Sequence, residues 1–159
     1  MRNNPILLSL VLVVSFFAFT NSRAEELILA PAFKLQDLSG AAVELSSFRD
    51  KKTVLLFFWT TWCPYCLKEL KILNNNLKEL EEEAVELLAI DVGESASRVE
   101  RVVKNYNLIL RVLLDKDSSV TDSYQILGVP TFVIVDKKGY IRFLDNYFPH
   151  KEVKKLSLE

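Results

Sequence analysis

Residues Thr53 to Trp59 (TVLLFFW) form an unbroken run rich in apolar β-formers. Such a run suits a central strand buried on both faces, because a strand with one wet face alternates polar and apolar positions. Four residues beyond it begins Cys63-Pro64-Tyr65-Cys66, and Pro64 opens a helical pattern. Leu67, Leu70, Leu73, Leu77 and Leu80 recur at spacings of three and four and make one apolar stripe, so a helix is expected from Pro64 to about Glu83. A buried strand, a turn with two cysteines and a helix therefore follow one another directly. Glu79, Glu81, Glu82 and Glu83 lie near the end of this helix where its dipole disfavours them, and they read as a solvated face.

The remaining patterns surround that unit. Phe33 to Leu38 and Ala42 to Leu45 read as two short strands about the Ser39-Gly40 turn, an N-terminal β-hairpin. Val85 to Val92 (VELLAIDV) is the next strand. Ser95 to Tyr106 reads as a helix, with Ser95 as N-cap and Val99, Val102, Val103 and Tyr106 on its apolar face. Leu110 to Leu114 is a short extended piece, and a short helix is expected around Val120 to Leu127. Thr131 to Val135 and Tyr140 to Leu144 form a hairpin through Lys137-Lys138-Gly139, and His150 to Leu158 is a closing helix. This order describes an α/β fold with a mixed central sheet flanked by helices, whose last hairpin is antiparallel.

The amino terminus is different. Residues 6–19 (ILLSLVLVVSFFAF) contain 12 apolar residues and no charge; Arg2 precedes them and Ser22-Arg23-Ala24 follows. That is the pattern of a secretory signal over residues 1–24, with cleavage after Ala24 and an exported domain over 25–159. The other reading is a lasting N-terminal anchor through residues 6–19, although a spanning helix needs about 20 apolar residues. Either way the domain lies outside the cytoplasm, periplasmic or otherwise extracytoplasmic. The length of 159 residues fits one domain. With 20 basic and 21 acidic residues the net charge is -1, which excludes a basic nucleic-acid binder or a polybasic membrane-surface protein.

The only cysteines are Cys63 and Cys66, too close together to staple distant parts of a fold. Pro64 suits the first helical position, where its missing N–H would be unpaired anyway. Cys63 then stands at the helix N-terminus, where free N–H groups and the dipole stabilise a thiolate, so Cys63 is the expected nucleophile. Cys66, within the first turn, is placed to resolve a mixed disulfide formed at Cys63. A metal site would need more ligands, and the chain has no third cysteine and one histidine, His150. A c-type haem site would need His where Leu67 stands. No metal and no cofactor are therefore expected. Gly128-Val129-Pro130-Thr131 precedes an apolar strand; a cis Val129–Pro130 bond there would hold a loop against the sulfurs and offer the backbone of Val129 to an extended client segment.

The segments 57–66 (FFWTTWCPYC), 91–95 (DVGES), 128–131 (GVPT) and 136–139 (DKKG), with the N-terminal hairpin and Leu45-Ser46-Ser47-Phe48, resemble the TlpA/ResA-like group of exported thiol-disulfide oxidoreductases. The resemblance spans about residues 30–156 and implies a thioredoxin-like fold. It also implies that Cys63 attacks, Cys66 resolves and Pro130 is the cis-proline. Trp62, Pro64, Tyr65, Val129 and Pro130 are then the client-contacting residues. Glu69 matches an acidic residue that ResA-like proteins carry three positions after the second cysteine. By residue reading alone Glu69 complements the helix dipole and faces water, yet it lies one turn beyond Cys66 and is flanked by Leu67 and Leu70. A partly buried carboxylate there would trade protons with Cys66. The implied partners are exported proteins carrying disulfides, such as an apocytochrome c during cytochrome c maturation, and a membrane thiol donor, with the protein acting as a monomer. Pro64-Tyr65 between the cysteines is the glutaredoxin dipeptide, where ResA-like proteins often have Glu-Pro. That leaves a disulfide oxidase or isomerase, or a redox-inert peptide-binding module, as alternatives. A peroxiredoxin reading fits poorly, since Thr60 stands three residues before Cys63 but Leu56 occupies the position of the expected upstream proline.

Overall fold

A computed structural model describes residues 27–156; the expected signal or anchor at 1–24 lies outside the described residues. The run Thr53–Trp59 is strand β4, and all seven of its residues are buried. The other strands are β1 (Ile28–Leu29), β2 (Lys34–Asp37), β3 (Ala42–Glu44), β5 (Val85–Val92), β6 (Arg111–Asp115), β7 (Thr131–Val135) and β8 (Tyr140–Asp145). The helices are α1 (Pro64–Asn75), α2 (Leu77–Glu82), α3 (Ala96–Asn105), α4 (Ser119–Ser123) and α5 (His150–Leu156).

The strands form one mixed sheet in the order β1-β8-β7-β4-β5-β6-β2-β3. β4 runs parallel to β5, and β5 to β6; β7 lies antiparallel on the other side of β4 and continues into the antiparallel β8. The N-terminal hairpin β2–β3 closes the far edge through β6.

Alternation along β4 builds two cores. Leu55, Phe57 and Trp59 face α1, α2, α3 and α5 together with Leu70, Leu73, Leu80, Val99 and Val153. Val54, Leu56 and Phe58 face Phe33, Val43, Leu45, Val120 and Tyr124 on the other side. Each fully buried large side chain contributes roughly 1.5–3 kcal/mol, so β4 is anchored from both faces.

The structure corrects the single helix expected from Pro64 to Glu83. It is two helices, α1 and α2, parted at Asn76 (φ -101°, ψ 9°), whose N–H is shared between the carbonyls of Ile72 and Leu73. Asn74-Asn75-Asn76 are poor helix formers that compete for backbone hydrogen bonds. The Asn74 Oδ1 accepts instead from the Ile109 N–H (2.7 Å) and the Leu110 N–H (3.2 Å), fastening α1 to the chain entering β6. Ser95 caps α3 with its backbone, but its side chain makes no capping hydrogen bond. The helix expected around Val120 to Leu127 is the shorter α4, Ser119–Ser123; Gln125, at φ 54°, is left-handed and cannot continue it. The structure adds two elements: the short strand β1, and a 3-10 turn over Leu45–Phe48, the LSSF segment of the resemblance.

Replacing Asn74 by Ala leaves two N–H groups without their acceptor. Asn74→Ala is expected to lower stability by about 1–3 kcal/mol in urea unfolding, and an unchanged midpoint would show that Asn74 fastens nothing.

Candidate active site at the Cys63–Cys66 disulfide

Beyond Trp59 the chain turns through Thr60, Thr61 and Trp62 into α1. Cys63 is the N-cap, in extended backbone (φ -91°, ψ 107°), and Pro64 fills the first helical position. The Cys63 N–H closes the turn on the Thr60 carbonyl at 3.3 Å. Cys63 Sγ accepts from the Cys66 N–H at 3.1 Å, and the two residues are joined by a disulfide with their Cα atoms 5.2 Å apart. Cys66 is fully buried and Cys63 retains 5% exposure, so access to the pair lies at Cys63.

The Val129–Pro130 bond is cis, and the Val129 carbonyl oxygen lies 3.9 Å from Cys63 Sγ. This loop is held from behind. Thr131 Oγ1 donates to the Gly128 carbonyl at 2.7 Å, while Asn146 Nδ2 donates to the Pro130 carbonyl at 2.6 Å and to Thr131 Oγ1 at 2.9 Å. Trp62 and Tyr65 stand out from the surface at 69% and 75% exposure, Pro64 is exposed, and Val129 and Pro130 are half-buried. Leu127, two residues before Val129, is wholly exposed and lies beyond the end of α4. Glu69 is half-buried on α1 with no hydrogen bond or ion pair among the described residues.

Asp91 and Glu94 form a second acidic element, to which the sequence pattern assigns no role. Asp91 ends the apolar run of β5 opposite Trp59, and by alternation it shares the Ala89 face, the face that packs on Trp59 and the cysteines. It is fully buried. Gly93, at φ +72°, turns the chain so that Glu94 comes back against it. Both Thr61 donors, its N–H and its hydroxyl, bind the Glu94 carboxylate, the hydroxyl at 2.7 Å, and Arg98 Nη1 lies 3.3 Å from it. Burial alone would raise Glu94, but these donors and the Asp91 side chain hold it below the usual carboxylate range. Asp91 has no comparable support: neither oxygen completes a well-formed hydrogen bond among the described residues. Burial first, then the Glu94 carboxyl beside it, push Asp91 up to about 8. Trp59 Nε1 and Thr60 Oγ1, buried at the same end of the sheet, are also unpaired. Asp91 and Glu94 both fall in the segment 91–95 (DVGES) that carries part of the resemblance, but nothing in that pattern ties Glu94 to Thr61, and Asn146 had no signal, because the bonding partners come from distant segments.

Among the described residues no group of three or more His, Cys, Asp or Glu side chains is arranged to hold a metal ion, and no helix is long and apolar enough to cross a membrane.

A carboxyl raised on folding keeps a proton that the unfolded chain has already lost. Asp91 therefore makes stability fall as pH rises from about 4 to about 8, whereas Glu94 stabilises above its unfolded value and loses that contribution on acidification. Asp91→Asn removes the first effect. Urea midpoints of the variant and the parent should coincide near pH 4 and diverge by roughly 1–3 kcal/mol in favour of the variant by pH 8. A gap of constant size would show that Asp91 ionises normally.

The AhpC/TSA family profile matches residues 29–144. The chain is 38% identical over 112 residues to the thiol-disulfide oxidoreductase ResA of Bacillus subtilis, covering 70% of this chain and 62% of that protein. It thus spans less than two thirds of that relative's length. It is 31% identical over 159 residues to the ResA of Geobacillus thermodenitrificans, covering 97% of this chain and 91% of that protein. The crystal structure of a secreted disulfide oxidoreductase of Mycobacterium tuberculosis, described as homologous to the DsbE of E. coli, superposes with a TM-score of 0.66 at 26% identity. It covers 79% of this chain and 94% of that one.

Proposed function

The chain belongs to the AhpC/TSA family, among the ResA-like thioredoxin-fold proteins, and from that membership we propose that it is an exported thiol-disulfide oxidoreductase that reduces disulfides in exported proteins. The observation that carries this reading is the Cys63–Cys66 disulfide at the N-terminus of α1, facing the Val129 carbonyl of the cis-proline loop.

The reduced pair acts in two exchanges. The Cys63 thiolate attacks one sulfur of a client disulfide; that bond breaks, the second client sulfur leaves as a thiolate, and a mixed disulfide forms. The Cys66 thiolate then attacks Cys63 Sγ, regenerating the internal disulfide and releasing the client dithiol. Two electrons pass to the client, and a dithiol donor, by family resemblance a membrane protein, must return them. The backbone at Val129 and the exposed rings of Trp62 and Tyr65 border the sulfurs and are the surface for an extended client segment. Glu69, half-buried one turn beyond Cys66, is the residue we assign to carry the Cys66 proton. Export is supported by the apolar segment at residues 6–19. An apocytochrome c before haem attachment is the client that the ResA resemblance favours.

Insulin reduction separates an oxidoreductase from a peptide-holding module, which would show no turnover. The reduction potential separates a reductase from an oxidase on a scale from about -270 mV for thioredoxin to about -120 mV for DsbA, and a value near the upper end would overturn the reducing assignment. Cys66→Ser is expected to accumulate mixed disulfides through Cys63, and Cys63→Ser to trap none; equal trapping would refute the roles given to the two thiols. Glu69→Gln should slow client exchange by about 10- to 100-fold and alter the pH profile without changing stability. Parental rates and thiol titrations from pH 5 to 10 would leave Glu69 a surface residue.

A further inference from the structure

The buried acids Asp91, near the end of β5, and Glu94, just after it, are not needed for the exchange steps above, yet Glu94 binds the turn that presents Cys63. Glu94 receives both donors of Thr61, and Thr61 sits inside the turn that the Cys63 N–H closes on Thr60. Glu94 in turn meets Asp91, whose oxygens find no well-formed donor among the described residues. Two carboxyl groups in contact and out of water bond to each other only when one of them keeps its proton.

We propose that Asp91 and Glu94 share one proton, and that this proton holds the Thr60–Cys63 turn by keeping Glu94 on Thr61. Asp91 is then a positioning residue for Cys63, acting through Glu94 and Thr61. The charged groups facing it agree with this role. From its own strand end comes Glu94; from the end of β6 comes the Asp115 carboxylate, acting through space; from α3 comes Arg98, which reaches Glu94. No cation bonds Asp91 itself among these groups. Asp115 already accepts from the Val120 N–H, the Thr121 N–H and the Thr121 hydroxyl, and is fully engaged.

When the shared proton leaves, two buried carboxylates face each other. Asp91 is locked in the middle of a parallel ladder between Trp59 and Leu114, while Glu94 lies in the loop after the strand. Glu94 is the group free to withdraw, and its withdrawal releases both Thr61 donors and slackens the turn before Cys63. This inference rests on the oxidoreductase reading for its consequence in catalysis, but the proton and the tether are measurable without any client.

The experiment is a pH titration of the parent protein and Asp91→Asn by NMR, following the Thr61 amide, with carboxyl infrared absorption read in parallel. In the parent, a protonated carboxyl band should persist at pH 7 and disappear with a midpoint near 8, and the Thr61 amide should shift with the same midpoint. In Asp91→Asn the amide side chain donates to Glu94 at every pH, so the band and the Thr61 transition should both vanish. Alkylation of Cys63 in the reduced parent should fall by roughly threefold above that midpoint instead of levelling off, and should level off in the variant. A Thr61 amide that stays still between pH 6 and 10, or a transition that survives Asp91→Asn, overturns the inference. If Asp91→Asn fails to fold, Glu94→Gln decides: with one charge removed, the Asp91 transition must move to lower pH, and an unmoved transition overturns the shared proton. Absence of insulin reduction with these titrations intact would remove the function and leave the proton pair standing.

Discussion

β4 is buried on both faces and hydrogen-bonded on both edges, and every part of the site takes its position from it. A shift of one residue in its register would turn Phe57 and Trp59 to the opposite core. Its two neighbours are pinned with it: Trp59 pairs with Asp91 on one side and Phe58 with Thr131 on the other. Three turns separated by more than thirty residues in sequence therefore meet at one end of the sheet. They carry the cysteines, the Asp91–Glu94 pair and the cis-proline loop. The chemistry is held by strand register, while the loops supply only the atoms.

The acids at this end follow one rule. A buried carboxyl group that is well supported is bound by the N–H and hydroxyl donors of a neighbouring turn. Glu94 has the two donors of Thr61, and Asp115 has those of Val120 and Thr121. Each thereby fixes a turn to the sheet. Asp91 has no turn of its own to bind, and its environment favours the neutral acid. The unpaired Trp59 Nε1 and Thr60 Oγ1 lie at this same end of the sheet, and local polar satisfaction gives way most often beside chemistry.

Legibility in the sequence followed the range of the interaction. β4, β5 and β7 were readable to the residue because continuous burial leaves an apolar run whose ends are sharp. The cysteine pair at the start of α1 was readable because capping is local: Cys63, Pro64 and Cys66 act on one another within a single turn. The break at Asn76 was hidden, because the leucine stripe continues through it and the reason for it, Asn74 binding Ile109 and Leu110, lies on another segment. Asn146 behind the cis-proline and Glu94 behind Thr61 were hidden for the same reason. Glu69, visible by its spacing from Cys66, makes no polar contact among the described residues, whereas Asp91, which carries the strongest electrostatic perturbation at the site, passed as the exit of a strand.

These fields bear on the direction of electron flow. A thioredoxin-fold protein becomes an oxidant when its reduced form is stabilised, which means that the Cys63 thiolate is well solvated by the helix N-terminus. Pro64 removes one donor from that terminus, and the hydrogen bond to Cys63 Sγ comes from the Cys66 N–H. On the same face of the sheet, Asp91 and Glu94 place negative charge or its precursor behind the turn that leads to the thiol. Negative charge there opposes a thiolate and so favours the disulfide, which is the balance of a reductant. The Pro-Tyr dipeptide alone leaves the direction open, and Asp91 and Glu94, supplied by a strand far from the cysteines in sequence, are the groups behind the thiol turn through which the proposed reducing role would be set.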